Sequence, residues 1–269
     1  MTVLSDVGRL ESGLRASRDA GRKLLVPYVT GGLPGWERSI EACAAAGADA
    51  IEVGIPFSDP VIDGPTVQAA SERALAAGAT PQGIVSAFGA IETGGVPLVV
   101  MTYYNTIHRY GHERFAASLV AGGAAGAIVP DLPLEEVGPW AAAADEAGVE
   151  TVLLAAPTGS DERLTRICAR SRGFVYGIGV LGVTGERAEL ARSALTIARR
   201  LKALTDKPVL IGIGVSNRAQ AAEVAEVADG VVVGSAVVRR LLDGGGPEAV
   251  GAFVADLRAG LDAGRSGAA

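Results

Sequence analysis

The stretch IEVGIPFSDPVIDGP, residues 51–65, opens as an apolar strand and closes as a turn-rich loop. It sets Glu52 between Ile51 and Val53 and places two aspartates, Asp59 and Asp63, a few residues on. A carboxylate inside an apolar strand costs free energy unless it is paired, protonated or used. Which of these applies depends on the sheet that contains the strand. The same pattern, a short β-branched-rich run followed by a turn and an Ala-rich helical stretch, recurs along the chain. The runs are LLVPYVT (24–30), DAIEVGI (49–55), PLVVMTY (97–103), GAIVPD (126–131), ETVLLAA (150–156), FVYGIG (174–179), PVLIGIG (208–214) and DGVVVGS (229–235). Helical stretches such as WERSIEACAAAG, HERFAASLVAGG and VGAFVADLRAGL lie between or after them. Strands alternating with helices, with no linker or break in composition, predict an α/β protein with a parallel sheet in one domain over residues 1–269. The simplest closed solution is a (β/α)8 TIM barrel. It would carry an extra N-terminal helix over about residues 1–20 and a flexible tail over about 263–269. An open doubly wound sheet is the competing arrangement.

The composition narrows the function. The chain has 269 residues, 49% hydrophobic and 20% charged, with a net charge of −6. That balance argues against a broad nucleic-acid-binding surface, so an anionic ligand must be held by a local device. Cys43 and Cys168 each sit in a helix-like stretch and suggest no disulfide framework. No uninterrupted apolar run approaches the roughly 18 residues of a membrane span. The N-terminus lacks the apolar core of a leader and reads as an amphipathic helix. A cytoplasmic, reduced protein is expected, with no membrane and no nucleic acid among its partners.

In a (β/α)8 barrel the C-terminal ends of the strands carry the chemistry. Alternation along strand 2 sends Ile51, Val53 and Ile55 toward the helices and Ala50, Glu52 and Gly54 into the barrel. Glu52 is then a partly desolvated carboxyl whose raised pKa suits a proton donor; the alternative is a structural carboxylate bonded to a neighbouring strand. Strands 7 and 8 end in IGIGVSN (211–217) and VVGSAVV (232–238). Gly212, Gly214, Gly234 and Ser235 fall where strand gives way to helix. There, backbone and helix N-terminal N–H groups can cradle a phosphate; otherwise the glycines serve only tight turns.

Other motifs point elsewhere and carry less. GIGVLG (177–182) matches a dinucleotide-binding pattern, but it follows the sixth strand and lacks the acidic residue that should end the next one. His108 and His112 are the only histidines; Gly111 interrupts any helix between them, so they read as a solvated loop pair and not a metal site. Lys23, Lys202 and Lys207 are the only lysines, and none falls at the C-terminal end of a strand, which disfavours a Schiff base. Metal-free carboxylate chemistry on a phosphorylated small molecule remains.

IEVGIPFSDPVIDGP resembles the signature of the tryptophan synthase α subunit family, and the resemblance extends over essentially the whole chain. VPYVTGGLPG (26–35), MTYYN (101–105), PDLPLEE (130–136), GFVYGIGVLGVTG (173–185), GIGVSN and VVVGSA support it. The resemblance implies reversible retro-aldol cleavage of indole-3-glycerol phosphate to indole and glyceraldehyde 3-phosphate. It implies no cofactor in this chain, and an α2β2 complex with a pyridoxal-phosphate-containing β subunit that receives the indole. It makes Glu52 the acid–base group that protonates indole C3, and Asp63 the carboxylate that meets the indole N–H. Tyr176 lies near the glutamate, and Tyr28, Ile213 and Val232 line the indole slot. Thr184 and Gly185 belong to a mobile loop that closes over substrate, with Gly185 also at the phosphate. Asp59, Pro60 and Asn105 face the β subunit, although Asp59 also fits a plain turn-capping role before Pro60. Departures from the family pattern are Leu33 in GGLPG, Ile62 in VIDG and the stretch GIGVL before Gly182; all lie in loops implied for closure or subunit communication. The competing functions are a stand-alone lyase that releases free indole, a phosphate-binding barrel without catalysis, and a nicotinamide oxidoreductase.

Overall fold

The computed structural model describes residues 7–179, 187–212 and 214–263. Its strands are β1 (Leu24–Thr30), β2 (Ile51–Gly54), β3 (Leu98–Met101), β4 (Gly126–Ile128), β5 (Glu150–Ala155), β6 (Val175–Ile178), β7 (Val209–Gly212) and β8 (Gly230–Val233). Every neighbouring pair is parallel, and β8 returns to β1 through the register Leu24↔Gly230 to Pro27↔Val233. The sheet is therefore a closed eight-stranded barrel, and the doubly wound alternative is excluded. Each ladder is as long as its apolar run or a residue or more shorter. Apolar residues just beyond a ladder, such as Ile55 at the end of β2, stay buried beneath the loops.

Helices wrap the barrel: α1 (Arg9–Asp19), α2 (Trp36–Ala45), α3 (Pro65–Ala76), α4 (Pro81–Ala87), α5 (Tyr104–Tyr110), α6 (His112–Gly122), α7 (Gly138–Ala147), α8 (Asp161–Arg170), α9 (Arg187–Leu204), α10 (Arg218–Ala225), α11 (Ser235–Leu242) and α12 (Gly246–Ala263). Among the described residues no helix is long and apolar enough to cross a membrane. The expected N-terminal helix is present but begins at Arg9, with residues 1–6 outside the described chain; of the expected tail, residues 264–269 lie outside it too. The strand periodicity sorts the core into two clusters. Ile51, Val53 and Ile55 join helix residues such as Ile40, Val67 and Phe88 between barrel and helices. Ala50 lies inside with Val26, Val99, Val152, Phe174 and Leu210. His108 and His112 do not form the expected loop pair. Gly111, at φ 93°, ends α5 and starts α6 at once, so the two histidines fall on two short helices.

Helix α1 plugs the N-terminal end of the barrel. Leu10 and Leu14 enter the interior cluster, and the fully buried Glu150, at the start of β5, caps the helix from below. Its Oε2 accepts from the Leu10 N–H at 2.7 Å and its Oε1 from the Glu11 N–H at 3.0 Å. These are two of the donors that any helix start leaves without an internal partner. Two aspartates stitch the same end. Asp49 accepts from the Leu25 N–H at 2.9 Å and pairs with Arg22 and Arg258. Asp229 accepts from the Val209 N–H at 2.8 Å and from Lys202. Lys23 reaches the Ala228 carbonyl and Lys207 the carbonyls of Cys168 and Ala169, so all three lysines serve this end.

Because Glu150 satisfies two buried N–H groups, Glu150→Ala should lower the unfolding free energy by about 1–3 kcal/mol. Glu150→Gln, which keeps one acceptor, should lose less. Urea denaturation measures both, and because Glu150 sits at the N-terminal end of the barrel, the loops at the C-terminal end should keep their structure.

Candidate active site

At the C-terminal end the barrel opens into a cavity of ≈ 250 Å³. Tyr28 of β1, Glu52 of β2, Met101 of β3 and Tyr176 of β6 form its floor and walls. Ile62, Asp63, Gly64 and Val67 reach it from the β2–α3 connection and α3; Gly212, Gly214, Val232, Gly234 and Ser235 reach it from the ends of β7 and β8. Two glycines give the tyrosines their places. A Cβ on Gly54 would stand 1.9 Å from Tyr28 Oη, and one on Gly212 would stand 2.7 Å from the Tyr176 ring and hydroxyl. Both rings therefore lie directly against bare strand backbone. The Tyr28 hydroxyl has a long contact of 3.5 Å with Thr30 Oγ1, so the expected apolar indole slot carries a hydroxyl in one wall.

Glu52 is 3% exposed, and its Oε2 has no hydrogen-bond partner. It pairs in register with Tyr28 on one side and Val99 on the other, so no neighbouring strand offers a cation. Burial, with a smaller push from the Asp63 charge, raises its pKa to about 8. The structural-carboxylate reading of Glu52 needs a bonded partner, and Oε2 has none. Asp63 is half-buried in the loop; burial raises its pKa as well, and the Tyr103 hydroxyl beside it offsets part of that rise. Burial also raises both tyrosines, Tyr28 and Tyr176, so they remain neutral donors.

Gly212, Gly214, Gly234 and Ser235, expected at a phosphate, all border the cavity, but the helix starts behind the two strand ends differ. Helix α11 starts at Ser235 behind Gly234 with no side-chain cap, so its first N–H groups are free to meet an anion. Helix α10 starts too far along the chain and is already capped: Asn217 accepts from the Gln220 N–H at 3.0 Å. Among the described residues of the β7 loop, Gly212 and Gly214 line the cavity. Ile213, Thr184 and Gly185 lie outside the described residues, as does the rest of the loop after β6 from Val180 to Glu186. Asp59 and Pro60 do not line this cavity. They lie on a separate depression of ≈ 320 Å³ with Phe57, Val61, Gln68 and Glu72, and the Asp59 carboxylate accepts from Ser58 Oγ at 2.5 Å. Asn105 is exposed on α5. Leu33, one of the departures, is 2% exposed and part of the core; Ile62, another, is 49% exposed and stands at the cavity rim.

Sequence reasoning missed Met101, Val67, Gly64 and Tyr103. The alternation Val99, Met101, Tyr103 would have placed Met101 inside. Tyr103 lies past the end of β3, where alternation no longer holds, and no local signal connects it to the loop around Asp63.

A sequence model of the tryptophan synthase alpha chain matches residues 14–252. The chain belongs to the tryptophan synthase alpha chain family. It is 47% identical to the alpha chain of Streptomyces coelicolor over 264 residues, covering 95% of this chain and 97% of the relative. It is 44% identical to that of Thermobifida fusca over 266 residues, covering 97% and 98%. The fold matches a solved Mycobacterium tuberculosis tryptophan synthase chain with a TM-score of 0.87 and 40% identity, over 95% of this chain and 99% of that one. A Legionella pneumophila alpha chain matches with a TM-score of 0.83 and 32% identity, over 96% and 99%. As a tryptophan synthase alpha chain, the protein cleaves indole-3-glycerol phosphate to indole and glyceraldehyde 3-phosphate and works with a β subunit. Family membership does not favour the stand-alone lyase, and it leaves nothing to support a nicotinamide enzyme.

Two outcomes follow from the packing and charge of the cavity. Gly54→Ala should force Tyr28 out of its seat, cutting kcat/KM by at least about tenfold and stability by about 1–3 kcal/mol. Steady-state kinetics with urea unfolding measures both. Glu52 binds its proton more tightly folded than unfolded, so its stability penalty is absent below pH 4.5 and grows as pH rises toward 8. Glu52→Gln should therefore stabilise the fold by on the order of 2 kcal/mol at pH 7, with the gain vanishing near pH 4.5. Denaturation across that pH range checks the sign.

Proposed function

We propose that Glu52 and Asp63 carry the alpha-chain reaction as an acid–base group and a fixed charge. The observation that carries this reading is the Glu52 carboxyl, unpartnered at Oε2, raised to about 8, and facing a cavity that Asp63 also lines. At neutral pH Glu52 holds a proton where an indole C3 would sit. Transfer of that proton to C3 gives an indolenine whose positive charge rests on the ring N–H, and the ionised Asp63 stabilises it. The Glu52 carboxylate so formed takes the proton of the glycerol hydroxyl next to the scissile bond. The C3–carbon bond then breaks and its electron pair returns to the ring, leaving indole and glyceraldehyde 3-phosphate. One carboxyl must be protonated and the other ionised, and the different burial of the two residues supports that division.

The other assignments rest on the resemblance to the family. Gly212, Gly214, Gly234 and Ser235 hold the phosphate through backbone donors, so the protein's net charge of −6 is no obstacle. Tyr28, Val232 and Ile213 line the indole slot with Tyr176 beside Glu52, and Thr184 and Gly185 belong to the loop that closes over it. Asp59, Pro60 and Asn105 face the β subunit in a cytoplasmic α2β2 complex, where pyridoxal phosphate in the partner consumes the indole. We read the chain as a single barrel domain.

The test is indole release from indole-3-glycerol phosphate by the purified chain, alone and with a tryptophan synthase β subunit. Slow release alone and faster release with the partner is expected, with a loss of about 10²–10⁴-fold in Glu52→Gln and Asp63→Asn. Near-wild-type release by either variant overturns the assignment of that residue. Release that ignores the β subunit overturns the partner assignments.

A further inference from the structure

One buried aromatic outside the cavity touches both ends of the loop that carries Asp63. Tyr103 is 2% exposed and does not line the cavity. Its ring stacks on Phe57, with centroids 5.0 Å apart and planes 21° from parallel, at the start of the loop. Its hydroxyl accepts from the N–H groups of Ile62, at 3.2 Å, and Asp63, at 3.3 Å, at the loop's end. Between those grips the loop is solvated, with Val61 80% exposed. The side chain thus closes a loop whose middle has no core of its own. Tyr103 is itself well anchored. It is the N-cap residue of α5, its carbonyl accepts from the Thr106 N–H at 3.0 Å, and the next N–H, of Tyr104, is held by Asp131 at 2.9 Å. From the other side, the Asp63 carbonyl accepts from Gln68 Nε2 at 2.8 Å.

We propose that Tyr103 is the positioning residue of this site, clamping residues 57–63 so that the Asp63 carboxylate meets the indole N–H in its ionised form. The inference rests on the assignment of Asp63 as the charge that stabilises the indolenine. A hydroxyl that accepts two N–H groups keeps its own proton for donation, and the Asp63 side chain lies against it. Among the described residues, the ionisable groups around Asp63 are Glu52 from β2, Tyr28 from β1, Tyr176 from β6 and Tyr103 itself. Glu52 and the tyrosines Tyr28 and Tyr176 are uncharged at neutral pH, so Tyr103 is the neighbour that favours the carboxylate. Without its hydroxyl, burial is left to raise Asp63 further.

The experiment measures kcat and KM against pH for wild type, Tyr103→Phe, Phe57→Leu and Asp63→Asn, each with the β subunit present. Tyr103→Phe keeps the ring stack and removes only the hydroxyl. It should lower kcat roughly tenfold or more with little change in KM, and move the acidic limb of kcat upward by about half a pH unit or more. Phe57→Leu, which loosens the clamp from the loop side and leaves the hydroxyl in place, should lower kcat without moving that limb. A Tyr103→Phe profile that matches wild type while Asp63→Asn is inactive overturns the positioning role alone. A lower kcat with an unmoved acidic limb makes Tyr103 merely structural and overturns it too. Activity in Asp63→Asn overturns the assignment beneath it. If Tyr103→Phe fails to fold, wild-type kcat in Phe57→Leu overturns the clamp.

Discussion

A carboxyl with no partner, shut inside a closed barrel, is the constraint on which the rest of this structure depends. Glu52 points inward because strand alternation sends it there, between the small residues Ala50 and Gly54. Parallel neighbours with tyrosine and valine in register offer it no cation. The cheapest response to that burial is to keep a proton, which is why the pKa rises to about 8. The same burial that costs stability leaves the group protonated near neutral pH, which is the state an acid needs. The glycines that seat Tyr28 and Tyr176 shape the remaining space around it.

The two ends of the barrel treat the same chemical group in opposite ways. At the N-terminal end Asp229 and Glu150 are also buried and Asp49 is half-buried, but each accepts from backbone N–H groups of a neighbouring element. Asp49 and Asp229 add a cation as well. These carboxylates join strand to strand and barrel to α1. At the C-terminal end Glu52 lacks a bonded partner for Oε2, and Asp63 sits on a solvated loop. The described lysines all serve the first end, which leaves the chemistry of the second to carboxyls, tyrosines and backbone donors.

The two helix starts behind β7 and β8 differ in what they offer an anion. Helix α11 starts uncapped at the cavity, whereas α10 has its first donors taken by Asn217. Where a helix N-terminus already has a side-chain acceptor, it has less to offer a phosphate. On the opposite rim the loop from Phe57 to Asp63 combines an exposed middle with clamped ends. Its outer residues, Asp59 and Val61, therefore border one depression while Asp63 borders another.

The eightfold alternation of apolar runs with Ala-rich stretches determined a parallel sheet, because only helical crossovers return a chain to start the next parallel strand; its closure into a barrel was decided by β8 pairing with β1. Period-two alternation within strand 2 was enough to put Glu52 inside and its apolar neighbours outside. The glycine-rich ends of β7 and β8 were legible for a similar reason, since small residues at a strand-to-helix junction are a local pattern. The unpaired state of Glu52 Oε2 depended on what the adjacent strands place in register. The difference between α10 and α11 depended on where each helix starts in space. Leu33 proved to be core and Ile62 a rim residue through packing between segments far apart in the chain. Tyr103 meets Phe57 and Asp63 across some 40 residues. Local periodicity carries no information about such contacts, and only the closed tertiary structure decides them.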